Sequence, residues 1–306
     1  MFFKELKMPF FSIVIPLYNK QNDVKNTLLS VIEQTFPDFE IIVINDGSTD
    51  ESENVVLTIT DKRLVYIKTE NKGVSMARNL GIEKAQGNYI AFLEILKELI
   101  ADYPEAGIVA ANYEFKHPNG FVESPSFPEL PENYKGILDN PFKYSLRNRI
   151  IISINNAVKK ESFNSVGKFD NSLTTGEDTD MWIRLVLNYP VAFNKQVTSS
   201  YLLGASNRAS LKININTLSR LDKYNEEEQA NPFLKKFLDI YRAQYAMKYK
   251  LTGDKKNFNY YYNSINLQNQ TFKTRILLIL PPRIVRILYR LKQSLKSRNI
   301  HFDIYN

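Results

Sequence analysis

The sequence predicts an α/β protein with a mostly parallel central sheet, helices on both of its faces, and a helical C-terminal region. Two observations carry this. Short, nearly unbroken apolar runs such as FFSIVIPLY (10–18) and FEIIVIN (39–45) alternate with segments whose apolar residues recur at helical spacing. Strands that are apolar on both sides belong in a parallel sheet with both faces covered. Beyond about Leu211 the strand signals stop, and the chain becomes helix-patterned and rich in Tyr and Lys.

In chain order, FFSIVIPLY predicts a first strand, and Val24, Leu28, Val31 and Ile32 form the apolar stripe of a helix after it. FEIIVIN predicts a second strand. The turn DGSTDESENVV then opens a helix for which Ser48 or Thr49 is the expected cap, with acids in its first turn. RLVYIK (63–68) predicts a strand, VSMARNLGIEKAQ (74–86) a helix, NYIAFL (88–93) a strand, EILKELIADY (94–103) a helix and AGIVAANYEF (106–115) a strand. Residues 117–150 are rich in Pro, Asn and Gly and read as a long loop. A further helix begins near Glu177, with Met181, Leu185 and Val186 on one side.

Composition removes several classes of chemistry. The 306 residues are 43% hydrophobic and 24% charged, ordinary globular values for a chain long enough to bury a large core. There is no cysteine, hence no disulfide and no thiolate nucleophile. His117 and His301 are the only histidines and have no metal-ligand spacing, which leaves little basis for a zinc site or a Ser-His-Asp triad. The first apolar run ends in Pro16-Leu17-Tyr18-Asn19, unlike a signal-peptide cleavage site, and no run approaches the ~18 apolar residues of a membrane span. The expected location is cytoplasmic, free or peripheral on the inner face of the cell membrane. The net charge is +7, and eight Lys or Arg with no Asp or Glu lie between Thr271 and Arg298. The rest of the chain is therefore near neutral, which argues against a nucleic-acid partner.

Ligands of such sheets bind beyond the carboxyl ends of the strands, so PLYN (16–19) and NDGSTD (45–50) are the first candidates. No GxGxxG follows the first strand, which removes a dinucleotide-binding Rossmann reading. Asp46 could accept a hydrogen bond from a nucleobase N–H, and Tyr18 could offer a face to its ring; composition alone reads NDGSTD as a turn and cap. Arg78 could point at an anionic group or simply be solvated. TGEDTDMWIRL places Glu177, Asp178 and Asp180 at a helix start, where acids suit the dipole. The same arrangement could set a general base beside a substrate hydroxyl, in a pocket walled in part by Trp182.

Taken together and in this order, PLYN, INDGSTD, SMARNLGIEKAQGNYIAFL and GEDTDMWIRL resemble the family 2 glycosyltransferases of GT-A fold, over about residues 10–200. The resemblance implies that Pro16, Tyr18, Asn19 and Asp46 hold the base of a nucleoside-diphosphate sugar, with Arg78 near its ribose or diphosphate. It implies Asp178 as catalytic base with Glu177 beside it, and Trp182 on the acceptor side. The domain expected from it spans 1–210, with a nucleotide-binding half to about 115 and an acceptor-side half at 116–210, followed by a helical region at 211–306. The implied reaction is an inverting transfer from a nucleoside-diphosphate sugar, UDP-linked by expectation, to a hydroxyl of a glycan or lipid-linked acceptor in cell-surface polysaccharide synthesis. The alternatives are a non-catalytic nucleotide-sugar binder and a membrane-associated scaffold.

Two departures from the family pattern stand out. Asn45 occupies a position where the family often has Asp. More consequentially, the family places a short acidic motif after the strand matching NYIAFL to hold a divalent cation, Mg²⁺ or Mn²⁺, against the diphosphate. Here Leu93 is followed at once by Glu94 and the next helix, with no loop of the ~2–6 residues usual at such a junction. Either residues are missing at this point or the chain is a relative that holds no metal there, so the metal ligands are unknown. Ser206, Asn207 and Arg208 follow an expected strand and could form a closing loop. In the basic segment 271–298, Ile284, Ile287, Leu288, Leu291 and Leu295 share one helix face, flanked by Arg283, Arg286 and Arg290 on one side and Lys292 and Lys296 on the other. That pattern suits an anionic membrane surface.

Overall fold

The computed structural model describes residues 8–91, 97–204 and 218–297, with side chains described to Leu291. The Leu93–Glu94 junction and Ser206–Arg208 lie outside the described residues. The chain forms two compact units, Met1–Ser219 and Arg220–Asn306.

The first unit is built on one sheet. Its strands are β1 (Phe11–Leu17), β2 (Phe39–Asp46), β3 (Leu64–Thr69), β4 (Tyr89–Ala91), β5 (Ile108–Lys116), β6 (Val122–Glu123), β7 (Lys135–Ile137), β8 (Asn156–Lys159) and β9 (Val191–Leu202). They run in the order β3-β2-β1-β4-β8-β5-β9-β7, with β6 paired to β5. The segment β3-β2-β1-β4 is parallel, and β8 runs antiparallel to both β4 and β5. The order reverses between β1 and β4, the kind of switch point where α/β sheets open a crevice at their carboxyl ends. The helices are α1 (Val24–Ile32), α2 (Ser52–Leu57), α3 (Val74–Lys84), α4 (Lys97–Asp102), α5 (Pro141–Tyr144), α6 (Ser162–Val166) and α7 (Glu177–Asn188).

The apolar runs fold as strands because each buries both of its faces. Phe11, Ile13 and Ile15 of β1 and Ile41 and Val43 of β2 pack with Leu28 of α1, Val56 of α2 and Leu99 of α4. The alternate residues Val14, Ile42 and Ile44 pack on the other side with Ala77 and Ile82 of α3 and Met181 and Leu185 of α7. Period-two alternation thus divides one continuous apolar run between two cores. Between residues 117 and 150, read from the sequence as one long loop, β6, β7 and α5 form instead. These elements are two to four residues long and depend on pairing or packing with distant segments.

The second unit contains α8 (Asn225–Ala230), α9 (Pro232–Thr252), α10 (Lys255–Asn263), α11 (Phe272–Ile279) and α12 (Pro282–Ser297). The bounds of α9 follow from its ends. Asn231 Oδ1 accepts from the Phe233 and Leu234 amides, Pro232 opens the first turn, and Gly253 closes the helix at φ 87°. Asp239, fully buried, accepts from Lys235, Arg242, the Asn266 amide and Asn269, and Arg242 also reaches Glu228 at 2.6 Å. Such a buried charge cluster is tolerable because its polar atoms find partners. Among the described residues no helix is long and apolar enough to cross a membrane.

The packing of α3 on β1 depends on Gly81, where an added Cβ would stand 2.2 Å from Cγ1 of the fully buried Val14. Gly81→Ala is therefore expected to destabilise the first unit by about 1–3 kcal/mol, measured by urea unfolding. An unchanged midpoint would contradict this contact.

Candidate donor and acceptor site

The carboxyl ends of β1 and β2 are joined by side chains. Asn19 adopts φ 51°, a left-handed conformation that asparagine tolerates better than most residues. In this pose its amide donates to Ser48 Oγ at 3.1 Å, its Oδ1 accepts from the Thr49 amide at 2.8 Å, and its Nδ2 donates to Thr49 Oγ1 at 3.2 Å. The Lys20 amide donates to Ser52 Oγ at 2.7 Å. Ser48 and Thr49 therefore do not cap α2 as expected. Glu51 occupies the cap position without a side-chain bond, and the Ser52 amide donates to Asp50 instead. The hydroxyls of GSTD hold the end of β1 against the end of β2.

Asp46 is 4% exposed, with Oδ1 accepting from the Lys72 amide at 2.8 Å and Oδ2 from the Gly73 amide at 2.9 Å. It thereby fixes the turn that leads into α3. Each carboxylate oxygen has two lone-pair sites, so both keep accepting capacity. Gly47 is required beside it: at φ +69° an added Cβ would lie 2.7 Å from the Asn71 amide nitrogen. Asn45, where the family often has Asp, is fully buried; it accepts from the Ser48 amide and donates to the Tyr66 hydroxyl at 2.7 Å. Burial raises the Tyr66 phenol above its usual range, so it stays neutral at physiological pH. Tyr18 is 37% exposed at the tip of the first loop, and Pro16 is half-buried opposite Ile44.

A cavity of about 400 Å³ opens beyond β2 and β3, lined by Asp46, Thr69, Lys72, Met76, Phe169 and Asn171 among others. Its wall at 169–171 is tied to α3 by the buried Asn79. That side chain donates to the Phe169 carbonyl at 2.9 Å and to Asn171 at 3.0 Å, and accepts from the Phe169 amide at 2.9 Å.

One turn of α7 decides the roles of its three acids. Glu177 accepts from Arg78 at 2.9 Å, with both side chains about one-tenth exposed, and the Arg78 guanidinium lies over the Phe169 ring. Asp180, 1% exposed, pairs with Arg184 at 3.0 Å, and Arg184 also donates to the carbonyls of Val166 and Lys168. Asp178 is the most open of the three at 25%, and its ion pair with Arg149, the one it makes among the described residues, is long at 3.5 Å. Glu177 and Asp180 are therefore committed to structure, and Asp178 retains a carboxylate that a ligand can approach. Arg149 was not legible in the sequence: it sits in the Pro- and Asn-rich stretch, where no periodicity marks it. Trp182 differs from expectation. It is 6% exposed and packs edge-on against Phe169 in the core, because it stands next to Met181 and three residues before Leu185 on the inward side of α7. The expected pocket wall at Trp182 is thus corrected to a core position.

A divalent cation, implied by the resemblance, is not matched by these residues. Among the described residues no group of three or more His, Cys, Asp or Glu is placed to hold one. The nearby carboxylates are engaged by backbone amides or arginines, and Glu94 lies outside the described residues.

Comparison with known proteins agrees with the architecture. Residues 12–94 match the model of glycosyl transferase family 2. An uncharacterized glycosyltransferase of Rickettsia bellii is 30% identical over 228 residues, covering 70% of this chain and 31% of that protein. S. aureus TarS 1–349, solved in complex with UDP-GlcNAc, superposes with a TM-score of 0.57 at 17% identity, covering 96% of this chain and 93% of that one. The TarS complex with UDP gives a TM-score of 0.52 at 19% identity, covering 86% and 92%. The chain thus carries a GT-A fold. The match to glycosyl transferase family 2 lies in residues 12–94, and the chain spans less than half the length of the first curated relatives it matches.

The Arg78–Glu177 pair joins α3 to α7. Arg78→Met strands a buried carboxylate and should cost of order 3 kcal/mol, with Arg78→Met/Glu177→Gln recovering part of it. Equilibrium unfolding of the two single variants and the double variant measures the coupling; strictly additive losses would contradict it.

Proposed function

We propose that the chain moves a sugar from a nucleoside-diphosphate sugar to a hydroxyl of a glycan or lipid-linked acceptor, with inversion at the anomeric carbon. The observation that carries this reading is the placement of Asp178. It is the open carboxylate of α7, next in the chain to Glu177, which pairs with Arg78 of α3, the helix whose preceding turn is held by Asp46 at the end of β2.

In this reading Pro16, Tyr18, Asn19 and Asp46 receive the base, with Asp46 accepting from its N–H and Tyr18 covering its ring. Arg78 faces the ribose or diphosphate. Asp178 takes the proton of the acceptor hydroxyl as its oxygen bonds to the anomeric carbon. The bond from that carbon to the diphosphate breaks, and the nucleoside diphosphate departs with the electron pair. Arg149 and the Thr179 amide, 2.7 Å from Asp178 Oδ1, orient the carboxylate for this step. Glu177 positions Arg78. The complexes of TarS with UDP and UDP-GlcNAc support a UDP-linked donor. The biological setting proposed is cell-surface polysaccharide synthesis on the cytoplasmic side, with residues 271–298 against an anionic membrane.

Titration with UDP-, GDP- and dTDP-sugars, with and without Mn²⁺, tests the reading. Binding of a UDP-sugar is expected, and the Mn²⁺ arm determines whether a cation accompanies it. Absence of binding by every nucleotide sugar would overturn the proposal, and binding without turnover would leave a non-catalytic binder. Asp178→Asn should lower transfer by about 10²–10⁴-fold and change donor affinity little. Normal turnover in that variant would remove Asp178 as the base.

A further inference from the structure

The helical unit exposes apolar side chains that its own packing does not use. On α12, Val285 faces inward at 3% exposure, whereas Ile284, Ile287, Leu288 and Leu291 are 42, 57, 39 and 55% exposed. On a helix of 3.6 residues per turn these four fall within an arc of about 100°. The exposed Arg283 and Arg290 border that arc on one side. On α11, Leu278 is 2% exposed, whereas Phe272 and Ile279 are 77 and 70% exposed. Not one acidic residue occurs from Thr271 to Arg298 to offset the eight basic ones.

Both helices are fastened to α9. The buried Lys250 ammonium donates to the carbonyls of Leu277, at 3.1 Å, and Leu278, at the C-terminal end of α11. Arg286 Nε donates to the Leu251 carbonyl at 3.0 Å. The exposed faces are therefore held in place before any partner arrives. A segment that folds only on contact would have no such anchors.

We infer that α11 and α12 form a preformed platform that lies on an anionic lipid surface. The apolar side chains enter the headgroup–acyl boundary, and Arg283, Arg290 and Lys273 meet the lipid phosphates. Charge selects this occupant. An apolar face bordered on one side by cations, in a segment with no acidic residue, is complementary to anionic headgroups, and long basic side chains can keep their charges in the headgroup layer while their stems stay apolar. The inference deepens the membrane contact proposed above and uses no feature of the donor site.

Co-sedimentation of the full chain with vesicles of phosphatidylcholine alone and of phosphatidylcholine with phosphatidylglycerol tests it. Binding should require the anionic lipid. Arg283→Gln/Arg290→Gln should weaken it about fivefold per charge, and Ile287→Glu/Leu291→Glu about tenfold or more. Phe272→Ser should weaken it through the other helix, an independent check if the double glutamate variant fails to fold. Circular dichroism should show no gain of helix on binding. Four results would overturn the inference: no binding by the parent chain, equal binding to neutral vesicles, indifference to these substitutions, or helix formation upon binding. A self-associated species that Ile287→Glu/Leu291→Glu dissociates would also overturn it, by making the face an interface between copies.

Discussion

The Arg78–Glu177 ion pair is the contact on which the arrangement of the site depends. It joins a helix that follows the third strand to a helix nearly one hundred residues later, within the core on one face of the sheet. Its geometry uses Glu177 on the protein side, while Asp180 is consumed by Arg184, so that Asp178 is left as the approachable acid of the turn. A charge pair this far from water is costly to form and more costly to break. That asymmetry holds α3 and α7 in register and fixes where the Asp178 carboxylate points.

A second layer of order lies at the ends of β1 and β2. Asn19, Ser48 and Thr49 tie two adjacent loops together, and Asp46 ties the second loop to the turn before α3. These bonds involve backbone amides at positions where a parallel sheet leaves loop amides unpaired. Their effect is preorganisation: the loops that would meet a nucleotide are held before it binds, which lowers the ordering cost of association.

Much of this was legible in the sequence, for identifiable reasons. β1, β2 and α1 announce themselves because both faces of the strands are buried and the helix stripe Val24, Leu28 and Val31 must match them. The insertion of β8 antiparallel between β4 and β5 was not legible, since four residues of NAVK carry no periodicity and the pairing is set by distant partners. Ser48 and Thr49 bond the Asn19 loop instead of capping α2, because a hydroxyl suited to a helix N-terminus is equally suited to a neighbouring loop. Only the left-handed turn at Asn19 brings that loop within reach. Trp182 lies close to the acids in sequence, but helical periodicity sends it inward beside Met181. Arg149 required the fold itself, because nothing local distinguishes it from the polar residues around it.

The central claim is that a nucleotide sugar lies across the carboxyl ends of β1 and β2, against amides already ordered by side chains. Hydrogen–deuterium exchange with and without a bound UDP-sugar addresses this directly. Slower exchange is predicted at residues 18–21, 47–51 and 71–73, with the distal strands β6 and β7 unaffected. Binding accompanied by protection elsewhere, with these three loops unchanged, would contradict the account.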